Sequence, residues 1–332
     1  MKRICIVGAG AIGSLYAAHL SRVAEVWALV RRPEHAASLR DQGLRVSGAR
    51  QFAAKFHATA TAADVPECDF AIVATKAMQA EEAFAPVGAK IRTAVLSAQN
   101  GLGSEEALAR HTRAFVVRGA TFMSGTRHSD THVQFELETP TWMGPFEPTR
   151  TPFEVVRELA DLVRAGGLRA EALEDARPAQ WAKLVFNASV NSVAALTELP
   201  HCPAFADEKE FGSLGHLLHE LIDEGVRVAA ALGIDLREDP WRMNCVGAQT
   251  NHPPSMLADV RAHSPTEIDF LGGAIAREAA RAGVAAPLHT ALYRLIRGKE
   301  LSWTFADENV AHGERSPEAA QWETSQAVTI RK

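Results

Sequence analysis

The chain has 332 residues, 47% hydrophobic and 23% charged, with a formal net charge of −5 and a pI of about 6.2. That length exceeds what a single core usually organises, so two domains are expected. The slightly acidic balance excludes a chain-wide basic footprint for nucleic acid or an anionic membrane, and no apolar stretch approaches the ~20 residues of a membrane-spanning helix.

The first apolar run, Ile4 to Val7, is cut by Gly8. It is too short for the apolar region of a signal peptide and reads as a buried strand. Further short apolar runs follow at Val26 to Val30, Phe70 to Ala74, Ala94 to Ser97 and Ala114 to Val117, separated by helical patterns. This alternation is the signature of a parallel sheet with crossover helices. Alternating residues at Thr131 to Leu137, and then Thr141 to Gly144, predict two antiparallel strands added to that sheet; a helix over Pro152 to Arg164 and a strand over Arg169 to Leu173 complete the unit. From about Pro178 the pattern is Ala- and Leu-rich at helical spacing, which predicts an all-helical second domain. The expected limits are residues 1–176 and 177–312, with a polar tail over 313–332. Cys5, Cys68, Cys202 and Cys245 form no C-x-x-C pair, so neither a zinc knuckle nor a disulfide framework is read, and a reducing, cytoplasmic setting is expected.

Gly8-Ala9-Gly10-Ala11-Ile12-Gly13 is a G-x-G-x-x-G between the first strand and the first helix. In that context Gly8 permits the tight turn, Gly10 lets the backbone approach a pyrophosphate, and Gly13 lets helix pack on strand. The helix N-terminus offers unpaired N–H groups to the phosphates. Where an NAD-specific acid would end the second strand stand Arg31 and Arg32. Arg31 either takes the 2′-phosphate of NADP in a charge-assisted contact or is solvated at a loop start. Lys76 and Asn100 follow the third and fourth strands, at the sheet edge where open α/β folds bind ligands. Lys76 reads equally as an exposed strand-end lysine, and Asn100-Gly101 as a turn.

Lys183, Asn187 and Asn191 are spaced i, i+4, i+8 in an otherwise apolar segment, forming one polar stripe on a helix. Two amides on the stripe of a lysine form either an interdomain network or a substrate site. These motifs, with Gln99-Asn100-Gly101, Ser255-Met256-Leu257-Ala258-Asp259 and Thr266-Glu267-Ile268-Asp269, together resemble the ketopantoate (2-dehydropantoate) reductases, in order from about residue 1 to 300.

The resemblance implies an N-terminal Rossmann domain followed by an all-α domain similar to the helical domain of 6-phosphogluconate dehydrogenase. It implies NADPH-dependent reduction of ketopantoate or a related 2-oxo acid, in pantothenate biosynthesis if ketopantoate is the substrate. Lys183 would be the catalytic acid and Glu267 its assistant, touching the cofactor. Asn187, Asn191 and Ser255 would bind substrate, Asn100 both ligands, and Gly125 the nicotinamide end. No metal is implied, the partner is a small molecule, and a homodimer stays open. Glu267 has a second reading, because Ser264-Pro265-Thr266-Glu267 forms a capping box. The sequence departs from the pattern after Asn191, where Ser192-Val193-Ala194-Ala195 follows and His201 lies near a further expected asparagine. Another branched or aromatic 2-oxo acid is therefore an alternative substrate. A 3-hydroxy-acid-type dehydrogenase and a non-catalytic NADP-binding regulator are the rival functions.

Overall fold

The computed structural model describes residues 1–311, so the expected tail over 313–332 lies outside the described residues. The apolar runs form β1 (Arg3–Val7), β2 (Glu25–Leu29), β3 (Leu44–Gly48), β4 (Phe52–Ala54), β5 (His57–Thr59), β6 (Cys68–Val73), β7 (Ile91–Ser97) and β8 (Phe115–Thr121). They continue as β9 (Ser124–Ser129), β10 (His132–Leu137), β11 (Thr141–Pro145) and β12 (Ala170–Ala172). The intervening helices are α1 (Ala11–Leu20), α2 (Pro33–Gln42), α3 (Ala77–Phe84), α4 (Ser104–Ala109) and α5 (Phe153–Ala165). The main sheet has the order β12-β11-β8-β7-β6-β1-β2-β5, parallel from β8 to β5, with β11 antiparallel to β8.

One expectation is corrected here. The run at 131–137 does not join the main sheet: β10 pairs with β9 and β3 in a second sheet of order β4-β3-β10-β9, and only β11 extends the first. The reason lies in α1, whose residues from Gly13 to Leu20 are all buried. A helix apolar on every side needs cover on both. The main sheet supplies one cover; the second sheet supplies the other, with Val133 and Phe135 of β10 fully buried in the core that holds Leu15 and Ala18.

The helical part starts with the long α6 (Arg177–Thr197), whose Pro178 stands at the start where a missing N–H costs nothing. Around it pack α7 (Leu214–Ala231), α8 (Pro240–Gly247), α9 (Ser255–Arg261), α10 (Gly272–Ala282) and α11 (Pro287–Ala311). Glu224 of α7, itself buried, accepts the backbone N–H groups of Leu288 (3.0 Å) and His289 (2.8 Å) at the start of α11, joining the two helices. All four cysteines are free thiols. No helix among the described residues is long and apolar enough to cross a membrane.

Candidate active site

The glycine loop has the shape its spacing predicts. Gly8 has φ +90°, and a Cβ there would lie 2.6 Å from the Thr75 side chain. A Cβ on Gly13 would strike the Gly8 carbonyl oxygen, whereas one on Gly10 would meet nothing within 4 Å. Thus Gly8 and Gly13 close the turn, and Gly10 faces open space at the start of α1, which carries no side-chain cap. Backbone donors without partners beside an open approach fit a dinucleotide pyrophosphate. Arg31 is exposed and makes no ion pair among the described residues, while Arg32 pairs with Asp130 at 2.5 Å. Lys76 is neither free nor merely solvated: its Nζ lies 2.5 Å from Asp259 Oδ1 on α9, bridging the sheet edge to the helical part. Gly125 lies on β9, where a Cβ would meet the Gln134 carbonyl at 2.6 Å and Leu15 at 3.3 Å, so close packing of the second sheet on α1 demands glycine there.

Glu267 does not close a capping box. Only a short 3₁₀ turn follows it, and its side chain makes no capping bond there. Its Oε1 accepts the N–H of Ala77 at 2.8 Å and its Oε2 the Asn100 amide at 3.3 Å. The carboxylate caps a helix after all, but α3 of the other part, whose first N–H groups lack intrahelical partners. The Thr266 hydroxyl takes over locally, accepting the Ile268 N–H at 3.3 Å.

Lys183 is half-buried on α6 and donates from Nζ to the Thr121 carbonyl at the end of β8, with the Phe122 ring centroid 5.6 Å away. Burial pushes its pKa down to about 8, and the charge of Glu267 pulls it partly back up. Asn187, one turn on, is half-buried, and its side chain makes no hydrogen bond among the described residues. Asn191 is buried, and its Oδ1 accepts from Met256 N (3.2 Å) and from Ser255 Oγ (3.4 Å), so it caps α9 and holds Ser255 at once. The polar stripe, Asn100, Glu267 and Ser255 therefore join one interdomain region.

Two residues behind the departure from the family pattern do not face it. Ala194 is fully buried among Val190, Phe205 and Leu218. His201 is buried too, its Nε2 held 2.9 Å from Asn244 Oδ1, and burial keeps its pKa below the ordinary histidine value. Both side chains are packed inside, the His201 ring lying 5.8 Å from that of Phe186 between centroids.

Sequence reasoning missed the joint behind Asn100. Gln180 of α6 donates to the Gly101 carbonyl (3.2 Å) and to Glu105 (2.8 Å) and accepts from Arg118 (3.0 Å), while Leu102 N–H donates to the Phe270 carbonyl at 3.1 Å. All three side-chain partners, Gln180, Glu105 and Arg118, are buried. Gln180 lies one turn before Lys183, a spacing legible in the sequence, but its partners come from β8 and α4. A groove of about 450 Å³ opens on this joint, lined by Leu102, Gly103, Arg118 and Trp181 among others, and holds none of the predicted site residues.

The model of the ketopantoate reductase PanE/ApbA family matches residues 4–148, and that of its C-terminal domain matches residues 175–300. The chain belongs to the ketopantoate reductase family. It is accordingly an oxidoreductase acting on a CH–OH group. The 2-dehydropantoate 2-reductase of Archaeoglobus fulgidus is 29% identical over 90% of this chain and 98% of its own length. That of Pyrococcus horikoshii is 29% identical over 90% and 97%. Among solved structures, the 2-dehydropantoate 2-reductase of Geobacter metallireducens superposes with a TM-score of 0.78 at 27% identity, covering 89% of this chain and 99% of that one. A D-mandelate dehydrogenase solved with NADH and anilino(oxo)acetate shares the fold, with a TM-score of 0.79 at 24% identity over 90% and 99% of the two chains.

Proposed function

We propose that this reductase converts a 2-oxo acid to the 2-hydroxy acid with NADPH, ketopantoate being the compound for which its relatives are named. The observation that carries the reading is Lys183, an ammonium with its pKa drawn to about 8, facing the region shared by Asn100, Glu267 and Asn187. The loop from Gly8 through Ala9, Gly10, Ala11 and Ile12 to Gly13 would hold the pyrophosphate, and Arg31 the 2′-phosphate. Lys76 would have to leave Asp259 to touch a phosphate. When bound, NADPH supplies the hydride.

The chain's own residues meet the charge that results. Reduction at C2 builds negative charge on the carbonyl oxygen, and Lys183 stabilises that charge and delivers its proton to it. A lysine with pKa about 8 is a far better proton donor at neutral pH than one at the ordinary 10.5. Glu267, already bonded to Asn100 and to the start of α3, orients the Asn100 amide and keeps Lys183 charged. Asn187 supplies a neutral donor for the substrate carboxylate, the amide nitrogen of Asn191 a further one, and the Ser255 hydroxyl a third once it turns from Asn191 Oδ1. Gly125 keeps β9 close to α1 near the nicotinamide end.

The test is the loss of NADPH absorbance when ketopantoate or a simple branched 2-oxo acid is added, with the 2-hydroxy acid formed in equal amount. A folded protein that oxidises NADPH with no 2-oxo acid would overturn the reading.

A further inference from the structure

Resting on the reading that this site reduces 2-oxo acids, we propose that the substrate carries an aryl or arylalkyl group on C2, seated in a corner formed by Phe122 and Phe186. For proton transfer, the C2 oxygen must come within about 3 Å of Lys183 Nζ. The Phe122 ring centroid lies 5.6 Å from the same Nζ, so a substituent on C2 enters the space this ring borders. Phe186, on the same helix one turn after Lys183, meets Phe122 at 6.0 Å between centroids with 67° between the planes. Behind Phe122 stands Trp142, edge-on at 6.1 Å, and beside Phe186 the His201 ring at 5.8 Å. Trp142 and His201 are buried, whereas Phe122 and Phe186 are only half-buried. The cluster thus presents two rings with uncovered surface next to the proton donor. An incoming ring completes it edge to face, in the centroid range that aromatic pairs favour.

The polar groups behind these two rings are already committed. Trp142 Nε1 donates to Glu171 (3.0 Å), the Thr121 hydroxyl donates to the Pro140 carbonyl (3.2 Å), the Thr121 carbonyl takes Lys183, and His201 Nε2 is held by Asn244. A hydroxyl on the substrate chain would lose its water here with little returned, and an aryl group loses none. The carboxylate still finds Asn187 and Ser255, so the corner selects only on the other substituent.

The test compares kcat/KM with NADPH for phenylglyoxylate, phenylpyruvate and ketopantoate. One of the aryl acids should exceed ketopantoate by about 10-fold. Phe186→Leu, which keeps an apolar side chain and so preserves packing, should cut the aryl-to-ketopantoate ratio of kcat/KM by about 5- to 10-fold. Phe122→Leu, in the other wall, should lower the ratio in the same direction. Ketopantoate preferred over both aryl acids, or a ratio unmoved by either variant, would overturn the inference and leave the reductase reading intact. Turnover of none of the three, nor of a simple branched 2-oxo acid, overturns that reading and this inference with it.

Discussion

Replacing Lys183 by methionine separates a catalytic lysine from a structural one, because the two roles predict opposite changes in stability. Burial has moved this lysine from the ordinary 10.5 to about 8, so the folded protein holds the charged form at a cost of about 3 kcal/mol. The side chain is half-buried, and solvent screening trims that figure. Methionine removes the charge while keeping the length of the stem. It leaves the Thr121 carbonyl without its donor, which costs about 1 kcal/mol. The net expectation is a variant more stable than the parent by about 1–2 kcal/mol at pH 7. The sign with pH follows from the direction of the shift. A lysine whose folded pKa lies below its unfolded one carries its full penalty below pH about 8, and the penalty fades as pH rises from there and is gone above the unfolded value. The variant's advantage should therefore shrink as pH rises from about 8 and reverse before 10.5, leaving it about 1 kcal/mol the less stable. Activity should move the other way. Turnover should drop by about 10²–10⁴, the contribution of one general acid or oxyanion donor. The parent should lose activity as pH rises through about 8, and the variant's residual rate should lack that limb. Denaturant melts at several pH values and steady-state NADPH oxidation together decide the matter. A destabilised variant with near-normal turnover would show that Lys183 serves interdomain structure, and the mechanism would fall.

Arg31→Ala should raise KM for NADPH far more than for NADH, through loss of a contact to the 2′-phosphate worth about 1.5–3 kcal/mol; equal losses in steady-state kinetics would remove the argument. Gly101→Ala places a Cβ 2.1 Å from the Phe270 carbonyl oxygen at φ +86°, so a melt should show a loss above the ~1 kcal/mol of an ordinary glycine substitution, and turnover should fall as Asn100 shifts. Gln180→Leu leaves buried Glu105 without its amide donor and Arg118 with only its pair to Glu147, and should cost about 1–3 kcal/mol by chemical denaturation; a neutral leucine variant would show that the joint contributes nothing.

Much of the α/β part was legible because its signals are local. Gly8 to Gly13 sit between a strand and a helix, and the clash of a Cβ at Gly13 with the Gly8 carbonyl is a property of that one turn. The stripe of Lys183, Asn187 and Asn191 was legible for the same reason, since helical periodicity alone aligns it. Even the second sheet had a signal in the all-round apolar α1, but the strand that covers a helix is chosen by fit among distant segments, and β10 pairs with β3 some 87 residues away in the case of Arg45 and His132.

What the sequence could not determine is which partners its polar groups find, because a buried polar group takes whichever complementary atom the packed chain brings within about 3 Å. Ser264 and Glu267 have the spacing of a capping box, yet the carboxylate is better placed against the unpaired N–H of Ala77, 190 residues back. Lys76 has its partner in Asp259, 183 residues on, and Asn191 caps a helix that starts at Ser255. Ala194 and His201 stand where the pattern expects polar partners, but the packed chain buries both, Ala194 in the helical core and His201 against Asn244. The sequence by itself determined the fold class, the glycine loop and the polar stripe; tertiary packing alone brought Phe122, just past the end of a strand, against Phe186 on a helix.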